Sequence, residues 1–372
     1  MDRIRAFIEA DIPQVVRLHE SIADPEAAAR AGQPPSNGYF TRVFLENPSR
    51  DDTLPSLVYE DDDGQIVGFL GVVSRRMSMN GEPLKAAICS QLVVDAACRR
   101  ANVAVQLAGT FLDGPQDVSI CDEANDAART LWERLGGATA LLQSIYWTRP
   151  LRPARLALSF LRNCHALAPL AAVAGPPLSL VDALAARMPR SLFFQPHPGA
   201  AAADLRVDTV LARLAEFAPD SLRVEYDDRT FEWLLQRASE RCGDGALHKA
   251  VVRNGETIRG WYLYRLDRRG VANLLQIAVK PSSVREVLDC LFYEAWQHGA
   301  TSVTGRLEPR LLEALSDKLC FFRRRGPWML VNAKRRELLR AFQNGDVFFS
   351  RFDGESSFGL SSDPGSTSWS AP

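Results

Sequence analysis

Eight prolines fall between Thr148 and Leu205, at positions 150, 153, 169, 176, 177, 189, 196 and 198. Each fixes φ and removes a backbone donor, so no long helix or central strand can run through this stretch. It divides a chain of 372 residues into two halves, each of which must bury its own apolar faces. That length exceeds the usual single core, and two domains of roughly 150 residues are expected. The stretch is too apolar for a disordered linker, and helices are predicted over residues 154–163 and 178–188. Arg162, Asn163, Pro169, Pro176 and Pro177 interrupt it, so no apolar span of about 20 residues exists and no integral membrane segment is expected.

In the first half, apolar residues alternate or recur at helical spacing in a definite order. A short strand at 4–7 precedes a helix from Asp11, whose apolar face is Ile12, Val15, Val16, Leu18 and Ile22, and a second helix follows at 38–45. Strands are predicted at 57–59 and 66–73, with a turn between them. Asn80-Gly81 favours positive φ and joins the latter to a buried strand over 84–94. A helix over 102–112, a strand over 118–121, a helix over 122–135 stopped by Gly136-Gly137, and a strand over 141–147 complete the half. The second half repeats the pattern: helices near 209–217 and 228–239, strands at 246–253, 258–266 and 271–279, a helix at 283–298, a strand at 302–307, a helix at 309–319, and strands after Phe321. The two halves read as divergent copies of one α/β unit. The Ser-, Gly-, Asp- and Pro-rich residues 353–372 read as a disordered tail.

Forty-four basic and 45 acidic residues give a formal net charge of −1, which argues against a nucleic-acid surface. Seven scattered cysteines with no Cys-x-x-Cys pair read as reduced thiols of a cytoplasmic protein. The five histidines lack ligand spacing with one another or with the cysteines, so no metal site is expected. The N-terminus has no secretory apolar region and belongs to the fold.

One place suggests a ligand. The apolar strand ends at Val93-Val94, a polar turn carries Arg99 and Arg100, and a helix follows with Val103, Leu107, Ala108, Phe111 and Leu112 inward. A helix start already carries partial positive charge, so two guanidiniums there call for an anion. The segment Arg99-Arg100-Ala101-Asn102-Val103-Ala104 resembles the central signature of the GNAT acetyltransferase superfamily, a buried strand followed by Gln/Arg-x-x-Gly-x-Gly/Ala and a helix. Asn125 to Gly136 resembles a second family segment, Asn-x-x-Ala-x-x-x-aromatic-x-x-x-Gly. Asn102 stands where the family usually has glycine, and asparagine is the residue that next best tolerates a left-handed backbone.

The resemblance implies an α/β fold of two GNAT-like domains, each a mixed, mostly antiparallel sheet flanked by helices. The expected divisions are a coenzyme-binding domain over 1–148, a helical and proline-rich connection over 149–204, a degenerate copy over 205–352 and the tail. It implies acetyl-CoA as co-substrate, with pyrophosphate held by Arg99, Arg100, Ala101, Asn102, Val103 and Ala104, the pantetheine arm along Leu92, Val93 and Val94, and Asn125 lining the same site. It implies direct acyl transfer to an amine of a small molecule, a sugar amine or a peptide, with a carboxylate or water chain taking a proton and a tyrosine returning one. The tyrosine position holds Trp132. Asp122 and Glu123 are the candidate carboxylates and Tyr146 the candidate proton donor, while Asp122 is equally suited to cap the helix that follows it. Cys121 reads as an inert buried thiol. Lys280-Pro281-Ser282-Ser283 takes the place of the signature in the second half without its Arg-x-x-Gly pattern, and Pro281 removes a donor that a phosphate would need, so that copy is expected to have lost the coenzyme. The alternative class is a non-catalytic acyl-CoA sensor or scaffold, and a homodimer stays open.

Overall fold

The structure, a computed structural model, describes residues 3–22, 36–96, 98, 102–156, 158, 181–188, 191–218, 222–242, 245–324 and 326–360. Its sixteen strands, in chain order, are β1 (Arg3–Ala6), β2 (Leu57–Glu60), β3 (Ile66–Met79), β4 (Glu82–Val94), β5 (Val118–Ala124), β6 (Ala138–Thr139), β7 (Tyr146–Pro150), β8 (Ala201–Asp204), β9 (Leu222–Val224), β10 (Ala246–Asn254), β11 (Thr257–Leu266), β12 (Val271–Val279), β13 (Ser302–Arg306), β14 (Phe321–Arg323), β15 (Trp328–Ala333) and β16 (Val347–Phe348). They form two mixed, mostly antiparallel sheets, each belonging to one compact unit.

The first unit comprises Met1–Ser144, Ala218–Arg237 and Gly326–Pro372. Its sheet runs β1-β2-β3-β4-β5-β15-β6, with β9 pairing β3 and β16 pairing β9. The Asn-Gly step closes the β3–β4 hairpin with both residues at positive φ, Asn80 at 53° and Gly81 at 80°, the twist that matches two right-handed strands. Among the described strands of this sheet only β4–β5 and β9–β16 are parallel. A parallel pair needs a crossover, and the helix Val103–Leu112 supplies it for β4–β5. That helix buries Val103, Leu107 and Phe111 against Tyr59, Leu70, Ala87 and Trp132. Gly68 makes the approach possible, since a Cβ there would lie 2.7 Å from Val103. A second aromatic group, Phe7, Phe40 and Phe44, packs its rings 5.2 to 5.6 Å from Phe69.

The second unit comprises Ile145–Phe217 and Ala238–Arg325. Its sheet runs β14-β7-β13-β12-β11-β10-β8. The one parallel pair among its described strands is β12–β13, crossed by the helix Val284–Gln297, which buries Val287, Leu288, Leu291 and Ala295 in a core with Tyr262, Ile277 and Val303. The order of elements repeats that of the first unit. In both sheets the strand beside the second member of the parallel pair comes from the far half of the sequence: β15 beside β5, β7 beside β13.

This exchange corrects the expected divisions. Residues 146–150 do not close the first domain but pair with Ser302–Arg306, and residues 218–237 and 326–360 belong with the first unit, not with the second half. The connection over 149–204 is not purely helical: residues 153–156 and 181–187 are helical, while β8 extends the second sheet along β10. Residues 353–358 are not part of a disordered tail, because Asp353 to Phe358 are buried and Glu355–Phe358 form a helical turn; residues 361–372 lie outside the described residues. β5 runs on through Asp122 and Glu123, since Asn125, not Asp122, caps the helix Asp126–Arg134. Among the described residues, no helix is long and apolar enough to cross a membrane.

Candidate functional site

The candidate site lies at the end of the parallel β4–β5 pair of the first unit. β4 and β5 are laddered only at Ala86–Val118, Ala87–Ser119 and Ile88–Ile120, with no backbone pairing between them beyond Ile88. On the far side of β4 the register with β3 shifts: Phe69 faces Val93 and Gly71 faces Ser90, so Gln91 and Leu92 together oppose Leu70. Gln91 takes up the extra length with φ of 57°, a left-handed bulge that re-aims the last residues of the strand. Gly71 lies opposite, and a Cβ there would come within 2.5 Å of Phe44 and 2.9 Å of the Ser90 carbonyl.

Beyond the bulge, Leu92, Val93 and Val94 are half-buried at the end of β4, pairing with β3 but not with β5. Arg99, Arg100 and Ala101 lie outside the described residues. Asn102 has φ 57° and ψ 24°, the conformation in which a glycine is commonest, and its side chain caps nothing. The helix therefore starts at Val103 and Ala104 with first-turn N–H groups that the Asn102 side chain does not satisfy. Asn125 does not line this site in the expected way: its Oδ1 accepts from Ala128 N at 2.8 Å as a helix cap.

The candidate carboxylates are engaged by the chain itself. Asp122 is fully buried, and its Oδ1 accepts from Glu355 N at 3.0 Å. Gly354 lies so close that a Cβ would sit 2.0 Å from Asp122 Oδ2. Glu123 accepts from the Ser356 hydroxyl at 2.6 Å and lies 3.9 Å from the Arg351 guanidinium. Asp122 is thus a cap, as its residue type allowed, but of the helical turn Glu355–Phe358. That turn brings in a carboxylate the sequence reading had assigned to the tail: Glu355 accepts from the Ser90 hydroxyl and from Gln91 Nε2 at the bulge.

Asp353 anchors the same segment. Its carboxylate accepts from Ser350 N at 2.7 Å and from the hydroxyls of Ser350 and Tyr226, and burial raises its pKa against these bonds and the nearby Arg75. Arg75, wholly buried, donates to the Asp353 carbonyl and lies 5.6 Å and 5.5 Å from the rings of Trp233 and Phe358. Desolvation lowers its pKa to about 10.

Tyr146 is not brought to these carboxylates within one unit. It is buried in the second unit's sheet, in register with Arg306 and Arg323. Trp132, at the tyrosine position, is buried and packs 6.0 Å from the Phe111 ring. The Cys121 thiol is held well above its ordinary pKa by a hydrogen bond with Cys89, by burial and by the neighbouring carboxylates, so it is no thiolate nucleophile.

In the second unit, β12 and β13 also part after three pairs, Val271–Ser302 to Asn273–Thr304. Beyond these pairs Arg310 Nη2 donates to the Ile277 carbonyl at 3.0 Å. The crossover begins with the 3-10 turn Pro281–Ser283, without a left-handed residue. Sequence spacing offered no metal ligands, yet this unit brings His248, Glu294 and His298 together. The overlooked signal was Glu294 four residues before His298 on a helix.

No protein-family model and no curated protein matches the chain. Solved structures do. A conserved protein of unknown function from Enterococcus faecalis V583, named a probable N-acyltransferase, aligns with 92% of this chain and 74% of its own at 11% identity and a TM-score of 0.59. A GCN5-related N-acetyltransferase from Anabaena variabilis aligns with 89% of this chain and 72% of its own at 12% identity and a TM-score of 0.55. One from Kribbella flavida aligns with 89% and 71% at 14% identity and a TM-score of 0.51. The chain shares the GNAT fold of these structures.

Proposed function

We propose that the first unit is an acyl-CoA-dependent N-acyltransferase, with acetyl-CoA as donor and an amine of a small molecule, sugar amine or peptide as acceptor. The observation that carries this reading is the end of the β4–β5 ladder at Ile88, flanked by the Gln91 bulge and by a helix start that the Asn102 side chain does not cap. The residues present suit the coenzyme. Peptide groups of Leu92, Val93 and Val94 that lack a β5 partner can pair with the amides of a pantetheine arm as another strand would. The first N–H groups of the helix at Val103 and Ala104 suit the pyrophosphate, with Arg99 and Arg100 adding charge-assisted bonds as the sequence motif implies.

The coenzyme supplies an activated thioester, and the protein's part is to bind, orient and move a proton. Glu355 is the group we assign to that proton, because its carboxylate meets the bulge at Ser90 and Gln91. Asp122 and Glu123 are positioning residues that hold the Glu355 segment. A cytoplasmic location fits a donor drawn from the coenzyme A pool.

The test is calorimetry with acetyl-CoA, followed by release of free thiol across a panel of amines. The wild-type chain binds and turns over, Arg100→Glu loses binding, and Glu355→Gln keeps binding while kcat falls by about a hundredfold. Absence of binding by the wild-type chain overturns the reading. Trp132 in the tyrosine position favours the second reading, an acyl-CoA sensor, whose signature is binding without thiol release.

A further inference from the structure

Two histidines and a glutamate meet in the second unit, at the end of its crossover helix. Glu294 and His298 lie one turn apart, Glu294 in the helix Val284–Gln297 and His298 as its C-cap. His248 lies on β10 opposite Tyr264 of β11. One ligating atom from each of His248, Glu294 and His298 lies within 4.8 Å of the other two.

The surroundings orient these groups. The Tyr264 hydroxyl is 2.7 Å from His298 Nδ1, and the Tyr262 hydroxyl donates to Glu294 Oε2. Both tyrosines are buried in the sheet, so the two ligands on the helix are held from beneath by hydroxyls that cannot wander. The side chains of His298 and Glu294 are 39% and 19% exposed, which leaves the group open to solvent on one side. The carbonyl end of a helix adds partial negative charge.

We propose that His248, Glu294 and His298 bind a first-row divalent cation, with Tyr262 and Tyr264 as the outer shell that fixes two of the ligands. Two imidazoles and one carboxylate are a donor set for zinc and its neighbours, and they leave at least one position to water. The imidazoles of His248 and His298 now stack with centroids 4.1 Å apart and planes 22° apart. A metal lies in the plane of each imidazole that binds it, so loading turns the rings out of the stack, with His298 at the exposed helix end providing the room. The ion then ties β10 to the end of the crossover helix. None of these residues belongs to the proposed coenzyme site, so the two proposals stand or fall separately.

The experiment uses the full chain, stripped with a chelator and titrated with Zn2+ alone and then Co2+ alone. Elemental analysis after dialysis should return one Zn2+ per chain, and Co2+ should give visible absorption bands of an ordered low-symmetry site. His298→Ala, at an exposed position, and the isosteric Glu294→Gln should each weaken binding by about tenfold or more, and Tyr264→Phe by about tenfold. Zn2+ should raise the Tm of the wild-type chain and leave that of His298→Ala unchanged, with circular dichroism showing both folded. No stoichiometric binding by the wild-type chain, or equal binding by the wild-type chain and the His298→Ala/Glu294→Gln double variant, overturns the proposal.

Discussion

Gly354→Ala is the substitution that most directly tests how the C-terminal segment is held against β5. Gly354 has φ −102° and ψ −164°, extended backbone that alanine adopts freely, so any cost is steric. The added Cβ would sit 2.0 Å from Asp122 Oδ2 and 2.3 Å from its Cγ, where ordinary contact begins at 3.4 Å. Asp122 cannot retreat: it is fully buried, and β5 is laddered to β15 on both sides of it, Cys121 to Leu330 and Ala124 to Trp328. The segment must move instead, giving up the bond from Glu355 N to the Asp122 carboxylate and that from Ser356 to Glu123. Overpacking costs about 1–3 kcal/mol and each of the two hydrogen bonds to a charged group about 1.5–3 kcal/mol, so about 4–9 kcal/mol falls on local docking. Amides of residues 350–358 should then exchange with deuterium at least about a hundredfold faster than in the wild-type chain. Gly109→Ala, inside the helix Val103–Leu112 with nothing within 4 Å of the new Cβ, is the control and should stabilise by about 0.5–1 kcal/mol. Unchanged exchange over 350–358 in Gly354→Ala would refute the packing argument.

Two further outcomes follow from buried and strained positions. Burial lowers the His19 pKa to about 4, below the value near 6.5 of an unfolded chain, so the unfolded state binds the proton more tightly. The stability this neutral form contributes is present above pH 6.5 and is lost as the pH falls toward 4, by about 3 kcal/mol in full; urea unfolding of His19→Leu from pH 4 to 7 should show a correspondingly shallower slope than the wild-type chain, and equal slopes would contradict it. Asn102 holds φ at 57°, which costs a residue with an ordinary Cβ about 1–2 kcal/mol. Asn102→Ala should therefore lower the urea midpoint, whereas Asn102→Gly should leave it near the wild-type value.

The local signals in the sequence were read correctly where the cause is local. Asn80-Gly81 set the β3–β4 turn, the periodicity from Val103 to Leu112 set a helix with its inner face as expected, and Asn102 took the left-handed backbone its side chain tolerates. What escaped is what depends on partners far along the chain. Nothing in Tyr146-Trp147-Thr148 says that its ladder lies with residues 302–306 and not with the strands before it, because a short apolar strand pairs with whichever edge the fold offers. For the same reason Asp122 could be read as a cap but not assigned its helix, since the N–H it accepts belongs to a residue 233 positions away. Composition misled at residues 353–357, whose polar side chains look solvated yet are buried because Asp353, Glu355 and Ser356 find partners on β4, β5 and Tyr226. The bond from Arg310 to the Ile277 carbonyl was not legible either, because it depends on where the chain returns after β13. Two copies of one strand–helix–strand pattern thus diverged in what fills the gap between their parallel strands. In the second, a side chain satisfies the strand's backbone; in the first, the segment bearing Glu355 brings a carboxylate to the bulge while Leu92 to Val94 keep one edge without a β5 partner. That difference is the physical reason to look for acyl transfer in the first unit.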